Sequence, residues 1–257
     1  KMKKILLCML SLVCVISLSA CSNKGEEQDK ESLVIGIDNT FAPMGFKNDE
    51  GKIVGFDVEV AKAVAKKIDK KISFQNIDWD LKETELETGN IDLIWNGYSV
   101  TPKRKKMVLF SDAYLKNRQI IVTTDKTGIQ TKNDIAGKSL AVQKNSSAYE
   151  AVMKETAFVE GLKGSAPIQF ETNNDCFMDL EAGRSDVIVV DETLARYYMV
   201  QQDNGINYVV LDENFGIEDY AVGMRKSDSK LCKSINKALE ELKKDGTFDK
   251  IKDKWFK

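Results

Sequence analysis

The chain is organised around the stretch Asp92-Leu93-Ile94-Trp95-Asn96-Gly97-Tyr98-Ser99-Val100-Thr101-Pro102-Lys103-Arg104. Its apolar start predicts a buried strand. Thr101 followed by Pro102 predicts the start of a helix, because threonine caps helices well and proline suits the first helical position. Arg104 lies one turn into that helix, where free amides and the positive helix end favour binding of a carboxylate. A surface arginine after an ordinary strand is the alternative interpretation.

A second copy of part of this stretch lies further along the chain. Residues 86–94 read Leu-Glu-Thr-Gly-Asn-Ile-Asp-Leu-Ile, and residues 180–188 read Leu-Glu-Ala-Gly-Arg-Ser-Asp-Val-Ile. Each copy has the pattern of a helix end, a glycine that closes the helix, and a buried strand. Ligands bind at the carboxyl ends of strands in open α/β sheets, so the repeat predicts two similar lobes with polar groups past equivalent strands. A chance match of a common pattern is the alternative.

Composition excludes several classes of function. At 257 residues the chain can bury a large core and form one or two domains. Its 38 basic and 40 acidic residues give a net charge of −2, so charge offers no argument for binding of nucleic acid. The lack of histidine excludes imidazole metal ligands and histidine-based catalytic triads. No cofactor and no metal site is predicted.

The amino-terminal residues predict export and a lipid anchor. Lys3 and Lys4 precede an apolar run and the sequence Leu18-Ser19-Ala20-Cys21, which has the pattern of a lipoprotein signal peptide covering residues 1–20. In this pattern the cysteine is lipidated, which places the protein at the outer face of the cell membrane. A transmembrane anchor is the alternative, but the apolar run is short for one. Residues 21–31 are polar and charged and predict a flexible tether.

Two cysteines remain once the signal peptide and the lipidated Cys21 are set aside. Cys176 and Cys232 could form a disulfide, because an exported protein meets oxidising conditions. The other interpretation is that they are two separate, partly buried thiols on helices.

Strands alternate with helices along the chain, which predicts α/β architecture. Residues 32–117 and 220–257 are expected to form the first lobe, and residues 118–219 the second. Two crossings of the chain between these lobes would act as a hinge. Ser147 and Glu150 have the spacing of a capping box and predict the start of a helix in the second lobe.

Several short motifs together resemble one protein family. They are Ile35-Gly36-Ile37-Asp38-Asn39-Thr40-Phe41-Ala42-Pro43, Lys52-Ile53-Val54-Gly55-Phe56-Asp57, Asn96 to Arg104 with Lys105, Gly183-Arg184-Ser185-Asp186, Lys244-Asp245-Gly246-Thr247-Phe248 and Lys254-Trp255-Phe256. In this combination and order the chain resembles the extracellular solute-binding proteins (family 3) of polar amino-acid ABC transporters. The resemblance implies a two-lobed, periplasmic-binding-protein-like (type II) fold that closes on an amino acid. It also implies an ABC permease and an ATPase as partners.

The resemblance assigns the two charged ends of the ligand. Arg104 matches the family arginine that forks onto the α-carboxylate, and Asp191 matches the acid that receives the α-ammonium. A zwitterion needs one fixed cation and one fixed anion, and buried charges are tolerated where each meets its partner. The alternative for Asp191 is a plain helix cap, and the two roles are compatible.

The resemblance also assigns the residues that surround the ligand. Phe41 and Trp79 match aromatic walls, which permit cation–π contact, and core packing is their alternative. Asp38 matches a position that often meets the polar or cationic end of the ligand side chain, and a turn residue is its alternative. The family often has glycine at the position of Asn145. The remaining matches lie in the ligand loop and at the start of a second-lobe helix; they are Asn96, Gly97, Ser99, Ser146 and Ser147.

Three functions stay open from the sequence. The resemblance implies an uptake receptor for glutamine, a basic amino acid or cystine. An enzyme such as the dehydratases that resemble these binding proteins would need a positioned acid or base, and the motifs place two carboxylates in the cleft, Asp38 and Asp191. An amino-acid sensor or adhesin lipoprotein is the third function, and it would need a separate partner protein.

Overall fold

The computed structural model describes residues 30–201 and 205–256. The predicted signal peptide, Cys21 and most of the tether therefore lie outside the described residues. The strands are β1 (Ser32–Ile37), β2 (Thr40–Phe41), β3 (Gly45–Lys47), β4 (Ile53–Val54), β5 (Lys71–Asn76), β6 (Leu93–Ile94), β7 (Leu109–Phe110), β8 (Leu115–Thr124), β9 (Leu140–Gln143), β10 (Ile168–Phe170), β11 (Val187–Asp191), β12 (Tyr208–Tyr220) and β13 (Gly223–Met224). The helices are α1 (Phe56–Lys67), α2 (Lys82–Thr88), α3 (Pro102–Met107), α4 (Ser147–Met153), α5 (Thr156–Glu160), α6 (Asn173–Glu181), α7 (Glu192–Gln201), α8 (Ser229–Lys244) and α9 (Thr247–Trp255). None of these helices is long and apolar enough to span a bilayer.

The first lobe is built on a five-stranded sheet with the strand order β5-β1-β6-β13-β7. β1 runs parallel to β5 and β6, whereas β13 is antiparallel to β6 and β7. Ile35 and Ile37 of β1 are fully buried, as expected for an apolar strand that lies between two parallel neighbours in the sheet. α8 and α9 pack on α1. α8 buries a stripe that includes Ile235, Leu239 and Leu242, whose spacing places them on one face of the helix.

The second lobe is built on another five-stranded sheet, with the strand order β10-β9-β11-β8-β12. β11 is parallel to β9 and antiparallel to β8, and every residue of β11 is buried. The sequence repeat corresponds to a structural repeat, since α2 leads through Gly89 towards β6 and α6 leads through Gly183 towards β11. These glycines have φ angles of 82° and 70°, the left-handed conformation that commonly ends a helix.

Two long strands connect the lobes. β8 follows β7 of the first sheet, and β12 precedes β13 of the first sheet. The two strands pair in antiparallel fashion from Leu115 opposite Tyr220 to Thr124 opposite Tyr208, with two irregularities along the way. The chain therefore passes from one sheet to the other and back through this ribbon. The predicted lobe boundaries and the hinge motion stay predictions.

Two helix starts test the capping predictions. Thr101 Oγ1 accepts a hydrogen bond from Arg104 N at 3.2 Å, so threonine caps α3 as predicted. In the second lobe α4 begins at Ser147, but its cap is Ser146, whose Oγ accepts from Tyr149 N at 3.0 Å. The predicted cap is therefore wrong by one residue, because two adjacent serines fit nearly the same spacing.

Cys176 in α6 and Cys232 in α8 are buried free thiols. α6 packs on β9 and β11 of the second lobe, whereas α8 packs on α1 and β7 of the first. The interpretation as two separate thiols on helices is confirmed, and a disulfide between them would have cross-linked the lobes.

Candidate functional site

The predicted ligand residues lie where the strand ends of the two lobes meet. Asp38 follows β1 and Asn96 follows β6, while in the second lobe Ser146 follows β9 and Asp191 ends β11. All of the predicted side chains are buried, with exposed fractions between 1% and 7%. They are Asp38, Phe41, Trp79, Asn96, Ser99, Arg104, Ser146, Ser147 and Asp191.

Asp38 is held by three donors, one of which comes from the opposite lobe. Its Oδ1 accepts from Thr40 N at 3.0 Å and from Thr40 Oγ1 at 2.6 Å, and its Oδ2 accepts from Gln143 Nε2 at 2.9 Å. Burial raises the pKa of Asp38, and the hydrogen bonds from Thr40 and Gln143 oppose that increase. Asp38 therefore serves both as a turn residue, through Oδ1, and as a group facing the second lobe, through Oδ2.

Two of the predicted ligand side chains hold the protein's own backbone. Asn96 Oδ1 accepts from Asp38 N at 3.0 Å, and Asn96 Nδ2 donates to Gly45 O at 3.2 Å. Ser146 Oγ, besides capping α4, donates to Gln143 O at 2.7 Å. Both side chains therefore fix the positions of Asp38 and Gln143 at the meeting point of the lobes.

Gly97 occupies a position in the ligand loop that favours glycine. Its φ angle is 58°, and a Cβ atom there would lie 2.7 Å from Phe41 Cε1 and 3.2 Å from Tyr220 Cζ. Its N–H donates to Asp57 Oδ2 at 2.7 Å. Phe41 and Tyr220 therefore pack directly against the loop, and Phe41 belongs to the core as well as to the site.

Arg104 is buried between the lobes with 1% exposure, so the surface interpretation is wrong. Its Nη1 donates to Ser99 O at 3.0 Å, and its Nη2 donates to Asn145 O of the second lobe at 3.3 Å. Its Nε lies 3.8 Å from Glu83 Oε1 and 3.9 Å from Glu150 Oε1. This Nε makes no hydrogen bond with the described residues. The guanidinium therefore reaches both lobes, and its Nε–H is unused.

Trp79 belongs to an aromatic and cationic group beside Arg104. The rings of Trp79 and Tyr98 meet edge to face with centroids 6.0 Å apart, and the guanidinium of Arg104 lies 4.6 Å from the centre of the Tyr98 ring. Lys82 is fully buried, and its Nζ donates to Trp79 O at 2.9 Å and to Asn145 O at 3.0 Å. Burial, followed by the charge of Arg104, lowers the pKa of Lys82 to about 8. A second cation therefore contacts the opposite lobe next to Arg104.

Asp191 is bound by neutral donors at the end of β11. Its Oδ1 accepts from Asn117 Nδ2 and from Tyr220 Oη, both at 2.6 Å. Burial raises the pKa of Asp191 well above its usual value, and the charge of Glu218 adds to this increase. At the start of α7, the Thr193 N–H donates to Asn117 Oδ1 at 3.3 Å. The side chain of Asn117 is therefore an acceptor for a backbone amide in the first turn of this helix.

Glu218 lies beside Asp191, and the sequence motifs do not identify Glu218. The two carboxylates share one donor nitrogen. Glu218 Oε1 accepts from Asn117 Nδ2 at 2.8 Å and from Ser99 Oγ at 2.7 Å. The hydroxyl of Ser99 in turn lies 2.9 Å from the hydroxyl of Ser147 in the other lobe. Hydrogen bonds therefore run continuously from the ligand loop of the first lobe to Asp191 of the second.

The site keeps its two cations apart from one pair of carboxylates. Arg104 and Lys82 lie on one side, with Glu83 and Glu150 near them. Asp191 and Glu218 lie on the other side, and Ser99 bonds to both Arg104 and Glu218. The carboxylate and ammonium of an amino acid are separated in the same way. Among residues 30–201 and 205–256, no three side chains of the metal-binding types come together to hold an ion.

Five residues of the site escape the sequence motifs; they are Lys82, Asn117, Gln119, Gln143 and Glu218. Asn117 and Gln119 are two positions apart on β8, and Gln119 Nε2 donates to Glu218 Oε1 at 2.7 Å. The twofold period of a strand places such residues on one face, which is a signal that the sequence carries. Gln143 ends β9 and so lies at the predicted edge. Lys82 gives no such signal, because its burial depends on a contact with the other lobe.

Comparison with known proteins identifies relatives over nearly the whole chain. Residues 33–257 match the family described as bacterial extracellular solute-binding proteins, family 3. The chain is similar to the arginine-binding extracellular protein ArtP of Bacillus subtilis (strain 168), with 34% identity over 262 residues, which cover 99% of this chain and 98% of that protein. It is also similar to the ABC transporter glutamine-binding protein GlnH of the same organism, with 31% identity over 278 residues, which cover 100% and 98% of the two chains.

The solved structures agree with these relatives. The fold is similar to that of an ABC uptake transporter substrate-binding protein from Streptococcus pneumoniae with bound histidine, at 41% identity and a TM-score of 0.85, covering 88% of this chain and 92% of that chain. This likeness confirms the predicted two-lobed, periplasmic-binding-protein-like type II fold. The matched family consists of binding proteins and not of enzymes. The chain therefore belongs to the bacterial extracellular solute-binding proteins of family 3, which serve amino-acid ABC transporters.

Proposed function

We propose that this protein is a lipid-anchored receptor that binds a polar amino acid between its lobes and delivers it to an ABC importer. One observation carries the proposal: the adjacent carboxylates of Asp191 and Glu218 are bound by neutral donors, and Arg104 lies across Ser99 from them. Burying a charge without an opposite partner is costly, so the pair is suited to receive a cation. An α-ammonium supplies that cation, and the ligand carboxylate supplies an anion for Arg104.

The ligand lies with its α-carboxylate at Arg104 and its α-ammonium at Asp191. On binding, the carboxylate takes the guanidinium donors that otherwise hold two backbone carbonyls. The planar fork of a guanidinium suits this exchange. The ligand side chain extends between Phe41 and Trp79 towards Asp38.

A basic amino acid is the ligand that the charges favour. Asp38 adds a third carboxylate to Asp191 and Glu218, so a second cation on the ligand finds a partner. The relative ArtP, an arginine-binding protein, agrees with this choice. Glutamine is the second candidate, because Asp38 already accepts a hydrogen bond from the neutral amide of Gln143. Cystine is the third.

The lobes must part to admit a ligand, since the site side chains are no more than 7% exposed. Gln143 and Asn145 of the second lobe bind first-lobe residues directly, and these contacts break on opening. The hinge lies in β8 and β12, between a first lobe of residues 32–117 and 220–257 and a second lobe of residues 118–219. The permease and ATPase of the importer are the partners that receive the ligand.

The anchor is a lipid on Cys21, outside the described residues. The signal peptide of residues 1–20 directs export, and the tether of residues 21–31 holds the lobes off the outer face of the cell membrane. The motif Leu18-Ser19-Ala20-Cys21 supports this part of the proposal.

A thermal-shift screen of the amino acids and cystine tests the function, because a ligand that binds the folded state raises the unfolding temperature. We expect an increase with a basic amino acid or with glutamine. Mass spectrometry of the incubated ligand should show an unchanged mass, which separates a receptor from a dehydratase-like enzyme. A folded protein that shows no increase with any of these compounds would contradict the proposal.

A further inference from the structure

Asp57 is a buried carboxylate that the ligand-binding scheme does not use. It lies in the first turn of α1 and has no exposed surface. Its Oδ2 accepts from Gly97 N at 2.7 Å and from Tyr114 Oη at 2.9 Å. One carboxylate oxygen therefore joins the ligand loop to a tyrosine in a different part of the chain.

Among the residues that the structure describes, the partners of Asp57 are neutral groups and no cationic side chain forms an ion pair with it. Its Oδ1 is buried and makes no hydrogen bond with the described residues. Burial raises the pKa of Asp57 to about 7, and the hydrogen bonds from Gly97 and Tyr114 limit the increase. A carboxylate in such a place costs stability compared with an apolar side chain. Its benefit must therefore come from the two groups that it joins.

Those two groups belong to moving parts of the proposed receptor. Gly97 lies in the ligand loop and packs against Phe41. Tyr114 immediately precedes the crossing strand β8, and its N–H donates to Tyr220 O at 3.0 Å at the end of the other crossing strand. Asp57 thus adds a buried side-chain link between the ligand loop and the first-lobe end of the ribbon, beside the backbone hydrogen bonds from Val100 N to Asp219 O and from Ala221 N to Tyr98 O.

We propose that Asp57 is a positioning residue whose carboxylate holds the Gly97 amide and the Tyr114 hydroxyl together, so that the ligand loop and the crossing strands move as one unit. The inference rests on the proposed function and adds a residue that does not touch the ligand. A fixed loop presents its backbone and the Ser99 hydroxyl to the ligand in one geometry. When a ligand shifts the loop, the ribbon between the lobes then shifts with it.

Protonation of Asp57 should weaken this link, because a neutral carboxyl is a poorer acceptor than a carboxylate. Among the described residues, Tyr114 is the titratable group in contact with it. Charged groups on the elements packed against α1 form their own ion pairs or lie exposed; they include Lys47 on β3, Lys71 of β5 with Glu31, Glu241 and Asp245 with Lys67, Glu240 with Lys244, and Lys254 on α9 with Glu59. Ligand affinity should therefore fall as the pH drops through about 7.

The test compares Asp57→Asn with Glu59→Gln, a matched control that removes the same charge two residues along α1 from a surface ion pair with Lys254. Each protein is titrated calorimetrically with L-arginine and with L-glutamine at about pH 8, 7 and 6. Asp57→Asn should bind at least about tenfold more weakly at pH 8, the loss expected when a hydrogen bond to a charged group is removed. It should also show a flatter pH profile than the parent. Glu59→Gln should keep the affinity and profile of the parent.

Tyr114→Phe provides a second variant that keeps the carboxylate and removes one donor. It should weaken binding and move the midpoint of the pH profile upwards, because the lost hydrogen bond favoured the ionised form. Asp38 and Asp191 also have raised pKa values, but their contributions are common to all of these proteins and cancel in the comparison.

Two results separate the possible failures. A folded Asp57→Asn or Tyr114→Phe variant with the affinity and pH profile of the parent overturns the role of Asp57, while loss of binding in Arg104→Ala would leave the receptor function intact. A parent protein that binds none of the screened amino acids overturns the proposed function, and the inference about Asp57 with it.

Discussion

Gln143 Nε2 donates a hydrogen bond to Asp38 Oδ2 at 2.9 Å, and the two residues belong to opposite lobes. Gln143 also donates to Glu171 O and accepts from Asn173 Nδ2, both at 2.9 Å, so its amide is held in a fixed orientation. Its donor therefore competes with any cationic group that a ligand brings to Asp38. If the ligand side chain reaches Asp38 as proposed, this competition would make the pair a determinant of the choice between basic and neutral ligands.

The first prediction concerns that choice. Gln143→Leu removes the neutral donor and keeps most of the volume, so the ratio of arginine affinity to glutamine affinity should rise by about tenfold, the worth of one hydrogen bond to a charged group. Asp38→Asn should lower the same ratio, because the carboxylate partner of the cation is lost. Calorimetric titrations of both variants with both amino acids measure the ratios. Equal ratios in the parent and the two variants would refute the assignment of Asp38.

The second prediction concerns Arg104. Arg104→Ala should weaken ligand binding by roughly 2–5 kcal/mol, the cost of removing one partner of a buried charge pair. Arg104→Lys should recover only part of the loss, because a point charge cannot fork onto two oxygens. Titration with the ligand found in the screen, alongside circular dichroism for folding, measures both effects. Lys106→Ala on the same helix is the matched control, since this side chain is exposed.

The site assignment would be wrong if folded Arg104→Ala bound within about threefold of the parent, or roughly 0.65 kcal/mol. Asp191→Asn offers an independent check at the ammonium end and should show a comparable loss. Retained affinity in both variants would also remove the reason for expecting an α-amino acid.

The third prediction concerns stability and pH. Burial raises the pKa of Asp57 to about 7 and raises those of Asp38 and Asp191 as well. Each of these acids binds its proton more tightly in the folded than in the unfolded chain. Stability therefore falls as the pH rises above the pKa that the acid has in the unfolded chain, and it recovers as the pH drops below the pKa in the folded chain. For Asp57, full ionisation should lower the free energy of unfolding by on the order of 4 kcal/mol relative to the protonated protein.

The protein without added ligand should therefore unfold at a higher temperature at about pH 5.5 than at about pH 8. Acids with lowered pKa values, such as Asp245 at about 2, lose their contribution only at more acidic pH. Differential scanning calorimetry measures the difference, and Asp57→Asn should reduce it. Equal or lower stability at the more acidic pH would contradict the assignment of these carboxylates as buried and uncompensated.

The fourth prediction concerns the anchor. Cys21→Ala should release the protein from the membrane fraction, because the lipobox cysteine is the residue that would carry lipid. Incorporation of labelled fatty acid should be lost in parallel. Cys232→Ser, which keeps Cys21, is the control and should stay with the membrane. A Cys21→Ala protein that remains attached and still takes up label would rule out the lipobox interpretation.

The fifth prediction concerns the internal thiols. Burial raises the pKa values of Cys176 and Cys232, so few thiolates are present to react at neutral pH. The native protein should react slowly with iodoacetamide, and both thiols should react quickly after unfolding without a reductant. Mass spectrometry counts the added groups. Reaction that requires prior reduction would reveal a disulfide.

The sequence predicts the strands and helices of this fold better than it predicts which of them come into contact. Asn96 and Asp191 could be placed because each follows or ends a short apolar strand at a predictable edge. Gln143 and Glu218 could not be assigned to the site, because their partners come from other segments that only the packing of the lobes brings near. Lys82 is the sharpest case. A lysine at the start of a helix suggests solvent, yet its Nζ is fully buried against Asn145 O of the other lobe.

The second lobe is an insertion within the first, since the chain enters it through β8 and leaves it through β12. Val200 on α7, 80% exposed, and Met107 on α3, 44% exposed, lie on opposite sides of that division. Because Cys176 and Cys232 are buried, cysteines introduced at these two positions would take a pair of dyes in preference to those two thiols. If the lobes close as proposed, the efficiency of energy transfer between the dyes reports the concentration of free amino acid. Because the second lobe is inserted in the first, one dye on each lobe would make the protein an optical sensor for its amino acid.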